Sequence, residues 1–99
     1  MDGIALRAGF STAINPDEVR NVVGNALRHE TDLARARLTS FERACRTFEK
    51  QYRISSEDFM RQFESGALGD EATYFDWYAA KRGLDVWERK LRILTGVSV

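Results

Sequence analysis

Apolar residues recur at helical spacing along most of the chain, and two long seams predict an all-α fold. Leu38, Phe41, Cys45, Phe48 and Tyr52 step by three and four residues, as do Trp77, Ala80, Leu84, Trp87, Leu91 and Leu94. Asn15-Pro16-Asp17-Glu18 supplies a cap, a proline at the first helical position and two acids where the helix dipole favours them, so the first helix is predicted over 16–52. Ser55-Ser56-Glu57-Asp58 opens a short second helix over about 56–65, with Phe59, Met60 and Phe63 on its apolar side and Gly66 at its end. Asp70 is the predicted cap of a third helix over 70–95 that stops at Gly96. The predicted architecture is a long antiparallel helical hairpin with a short connecting helix, completing a bundle by oligomerisation. Residues 1–15 read as a flexible tail available to pair as a short strand with a partner, and 16–99 as one helical domain.

The two long helices do not match in length. At 1.5 Å per residue they measure about 55 and 39 Å, so an antiparallel pairing that sets Phe48 near Trp77, Phe41 near Leu84 and Leu94 near Thr31 leaves about four turns of the first helix overhanging. That overhang carries Val19, Val22, Val23, Ala26 and Leu27. A second apolar stripe, Phe75, Ala79, Val86 and Ile93, lies opposite the main seam of the third helix. One helical partner cannot cover both sides, so Val19, Val22, Val23, Leu27, Phe75, Val86 and Ile93 form the expected partner-binding surface, for a second copy or another protein. The alternative is a break of the first helix near Gly24, which would let its first turns fold back.

Composition narrows the function classes. A 43% hydrophobic and 11% aromatic chain can build a core, and equal numbers of acids and bases, 15 each, leave no global field toward nucleic acid or an anionic membrane. The single cysteine offers no internal disulfide, and the chain shows neither a signal-peptide core nor a membrane span, so a cytoplasmic location is expected. His29 has no second histidine for a zinc site, and Cys45 within the apolar seam reads as a buried hydrophobe, so no metal, cofactor or catalytic residue is assigned. Glu57, Asp58, Glu64, Asp70, Glu71 and Asp76 gather around the second helix, where helix caps account for them more simply than acid–base chemistry. Arg28, Arg35, Arg37, Arg43, Arg46, Lys50 and Arg53 make the first helix basic. Acids at four-residue spacing, Glu42 before Arg46 and Glu49 before Arg53, favour a salt-laced solvent face over direct nucleic-acid binding, which this Arg-rich helix keeps as the minor reading.

Tyr52-Arg53-Ile54-Ser55-Ser56-Glu57-Asp58-Phe59, then Phe63, Gly66, Leu68-Gly69-Asp70 and Tyr74-Phe75-Asp76-Trp77, resemble a family of small prokaryotic proteins, the TumA-like antitoxins. The resemblance spans roughly residues 45 to 94. It implies a non-enzymatic protein that binds and neutralises a small TumE-like toxin, as a homodimer or in a heteromeric complex. The alternative is a homo-oligomeric scaffold or adaptor with no toxin partner.

Overall fold

The computed structural model describes residues 13–98 as three helices, α1 (Pro16–Tyr52), α2 (Ser56–Glu64) and α3 (Ala72–Thr95). The expected tail lies, apart from residues 13–15, outside the described residues. The all-α hairpin is as expected: α1 and α3 pack along their lengths, and α2 closes the end where they are joined. The molecule measures 62 × 22 × 20 Å. Its radius of gyration, 19.9 Å, compares with about 13 Å for a compact chain of this length. Such a rod has a thin core.

The ends of the helices follow from local chemistry. Asn15 Oδ1 accepts the Asp17 N–H at 2.7 Å and Glu18 Oε1 accepts the Asn15 N–H at 3.2 Å, a reciprocal cap that fixes the start of α1. α1 runs unbroken through Gly24, which is buried, so the fold-back alternative does not occur. At its other end Arg53 turns left-handed (φ 59°), and its N–H closes onto the Glu49 carbonyl at 2.8 Å. The chain thus reverses within Arg53, Ile54 and Ser55 before α2 begins.

Ser55 and Ser56, interchangeable as caps in the sequence, take different jobs. Ser55 Oγ accepts the Asp58 N–H at 3.0 Å, whereas Ser56 is buried and its Oγ accepts the Trp77 Nε1–H at 3.0 Å. α2 ends in a pair of bonds, Gly66 N–H to Phe63 O and Ala67 N–H to Gln62 O, which need the left-handed Gly66 (φ 78°). The expected Asp70 cap is corrected by one residue, to Glu71. α3 starts at Ala72 with Glu71 as its cap residue, held by the Tyr74 N–H to Glu71 carbonyl bond and without a side-chain cap. The linker from Ala67 to Asp70 carries no helical turn, and its Leu68 is half-buried, so the chain crosses to the hairpin axis before it coils.

The pairing register is the expected one. Phe48 stacks on Trp77 with centroids 5.6 Å apart, and a groove joins Leu94 to Thr31. The overhang is shorter than expected, because Leu94, Thr95 and Val97 share that groove with Gly24 and Leu27. Only the first two turns of α1 extend past the end of α3.

The expected salt lacing is also redrawn. Arg46 pairs with Glu49 at 3.1 Å, and Glu49 Oε2 accepts the Ser56 N–H at 2.9 Å. A carboxylate from α1 thereby satisfies an amide that the first turn of α2 leaves open. Burial acts to raise the Glu49 carboxyl, but the Ser56 hydrogen bonds and the Arg46 guanidinium outweigh it, and the group titrates below its ordinary range. With a depressed folded value, its contribution is complete above the unfolded value of about 4.3 and is lost as pH falls through the folded value. Glu49→Gln should cost about 1–2 kcal/mol at pH 7 and reduce the loss of stability on acidification, read from urea titrations at pH 7 and pH 3. Parallel pH profiles for the two proteins would remove Glu49 from this role.

Candidate partner-binding surface

The surface is organised around an aromatic corner. Trp77 is fully buried, with the Phe59 ring stacked on it at 3.9 Å and 8°, and with Tyr52 at 5.4 Å. Phe59 in turn stacks on Phe63 at 5.5 Å, and Phe63 meets Phe75 edge-on at 5.3 Å and Tyr78 at 5.1 Å. The chain of rings therefore leads from the centre of the hairpin to its outside. Lys81 ties the same corner together, reaching Asp85 at 2.8 Å on α3 and Glu57 at 3.3 Å on α2. Burial acts to lower the Lys81 ammonium, but Asp85 and then Glu57 outweigh it and raise it above its ordinary value. Glu57 sits below its ordinary value, held there by its own backbone N–H and by Lys81.

The residues that carry the family resemblance converge here. Tyr52, Ser56, Phe59, Phe63, Tyr74 and Trp77 are in one ring cluster or bonded to it, and Arg53, Ser55 and Gly66 make the turns around it. These residues together build this corner. Phe75 is the member that the corner presents to solvent, 53% exposed.

The outer face of α3 continues from Phe75 through Ala79 and Val86 to Ile93, and Val86 and Ile93 are 49% and 59% exposed. At 1.5 Å per residue this stripe is about 27 Å long. The rest of the expected surface is divided. Val22 is 68% exposed and Val23 36%, whereas Val19 is buried at 8% and Leu27 is half-buried beside the last turn of α3. Val19 is therefore corrected from a docking residue to a buried one. Along the hairpin axis, Val22, Val23 and Leu27 of α1 and Ile93 on the outer face of α3 lie toward the open end, with Phe75 toward the closed end and Val86 between. Leu33, 41% exposed, was not singled out from the sequence, although its spacing of eleven residues from Val22 places both on one face of α1.

The titratable residues considered from sequence serve the fold. Cys45 is fully buried; burial pushes its thiol up, against the hydrogen bond from Ser56. Asp58 pairs with Arg61, and Glu57 with Lys81. His29 is exposed, and among the described residues no group of three His, Cys, Asp or Glu could hold a metal ion. No described helix is long and apolar enough to cross a membrane. No family model, characterised protein or solved structure matches the chain.

Proposed function

We propose that the chain is a non-catalytic protein–protein interaction module, an antitoxin-like protein of the cytosol that binds and neutralises a small toxin through the outer face of α3. The observation that carries this reading is the stripe Phe75, Val86 and Ile93, three large apolar side chains about half exposed on a helix whose opposite side is already covered by α1. The resemblance to TumA-like antitoxins supports the same reading, since its pattern builds the corner that holds Phe75 outward. Aromatic and aliphatic anchors of this kind are what an interface core uses.

A second reading, a homo-oligomeric scaffold, is favoured by Val22 and Leu33 on α1, because a face away from the α3 stripe suits a second copy. The two readings separate in a growth assay. Small proteins whose reading frames neighbour that of this chain are expressed alone and with it, and light scattering gives the mass of the purified chain over a dilution series. Relief of growth arrest by the wild type, with about 100-fold weaker toxin binding by Phe75→Ser/Val86→Asp, is the expected result. Arrest that persists beside a stable homo-oligomer would replace the antitoxin reading with the scaffold.

A further inference from the structure

The bases of α1 are not laced as their sequence spacing implies. Arg35, Thr39, Arg43, Arg46 and Lys50 follow steps of four, four, three and four residues, so they share one face of a continuous helix, with Arg53 just past its end, and all six are exposed. Among the described residues, Arg35, Arg43, Lys50 and Arg53 form no ion pair, and Arg46 alone meets a carboxylate, that of Glu49. Most bases elsewhere are engaged: Arg20, Arg61, Lys81 and Arg92 by acids, Arg37 and Lys90 over the Trp87 ring, Arg82 over Tyr78. Glu42 lines one shallow groove with Thr39, Arg43 and Arg46, so the stripe carries an excess of basic over acidic groups.

We propose that this stripe is a docking surface for the phosphodiester backbone of a nucleic-acid duplex, bound without regard to sequence. Its chemistry excludes the other anionic partners. A protein interface has an apolar or aromatic centre, and this face carries no large apolar side chain and mainly guanidinium, ammonium and hydroxyl groups, the set that contacts phosphates. An anionic bilayer would require an apolar face beside the bases, and the apolar seam of α1 is covered by α3. A single strand is held by aromatic side chains that stack on its bases, and the stripe has none. The run from Arg35 to Arg53 is straight and about 27 Å long, the axial length of about eight base pairs. It is separate from the toxin-binding face proposed on α3, so either assignment stands without the other.

The test is fluorescence anisotropy with two labelled 20-bp DNA duplexes of unrelated mixed sequence, titrated from 50 to 200 mM salt. Wild type should bind both duplexes alike, with a slope of log K against log salt near −4, from about 0.9 per phosphate neutralised over four or five contacts. Arg35→Gln/Arg43→Gln/Lys50→Gln should bind at least 10-fold more weakly at 50 mM salt, with a slope shallower by about 2–3 and unchanged helicity by circular dichroism. Arg82→Gln/Arg89→Gln/Arg92→Gln, which removes as many charges from α3, should keep the wild-type slope. Equal losses in both triple variants would show a net-charge effect and overturn the proposal. So would tighter binding of a single strand of the same length, equal binding of poly-glutamate, or no binding by wild type at 50 mM salt.

Discussion

Trp77→Ala should destabilise the protein by about 3–5 kcal/mol, enough to unfold much of it at 37 °C. Trp77 is the largest fully buried side chain, stacked between Phe59 of α2 and the Phe48 and Tyr52 rings of α1, and it is the point where all three helices meet. Its removal opens a cavity and leaves the buried Ser56 hydroxyl without its indole donor. A thin rod has little other core to absorb that loss, and at about 4–8 °C per kcal/mol the midpoint should fall by about 20 °C. Trp87 provides the internal contrast. It is half-buried, flanked by Arg37 at 5.2 Å and Lys90 at 4.5 Å, and Trp87→Ala should cost about 1–2 kcal/mol. Urea denaturation followed by circular dichroism measures both. Hydrogen exchange should show the α2 amides losing protection first in Trp77→Ala, and equal costs for the two variants would displace Trp77 from the centre of the fold.

Gly83→Ala should destabilise by up to about 2 kcal/mol, although alanine is the better helix former. The propensity gain is about 1 kcal/mol. Against it, an added Cβ would stand 2.6 Å from Phe41 Cε1 and 2.7 Å from Cζ, so the ring must move or the two long helices must separate. Overpacking of this kind costs about 1–3 kcal/mol, and the ring lies on the α1–α3 seam where its shift disturbs the neighbouring contacts. The double variant Gly83→Ala/Phe41→Leu should cost less than the sum of the two single changes, since the smaller side chain relieves the clash. Strict additivity, or a rise in stability for Gly83→Ala alone, would mean that the ring moves aside freely.

Most of the exposed apolar surface was legible in the sequence for the same reason that the hairpin was. Phe75, Val86 and Ile93 lie opposite a seam whose period is unambiguous, and a side chain opposite a covered face is exposed whatever the details of packing. Leu27 is only partly exposed because the last turn of α3 ends beside it, which is a question of helix pairing, and the burial of Val19 has no signal in the period of α1. Leu33 was overlooked because Asp32 and the following arginines masked its face of the helix. The residues from Tyr52 to Trp77 that were singled out as a motif build the aromatic corner, through ring stacking, two turns and a buried serine.

The sequence by itself determined the helices, the cap of α1 and the pairing of the two long seams. These depend on interactions within about four residues and on the three-four repeat of apolar side chains. Only the tertiary structure decided that Ser56 serves Trp77 while Ser55 caps, that Gly83 admits the Phe41 ring, and that Glu49 turns to α2 and leaves most of the bases of α1 without acids. Each is a choice between partners equally close in sequence. It is settled by which of them the packing of a third element brings within hydrogen-bonding or van der Waals distance.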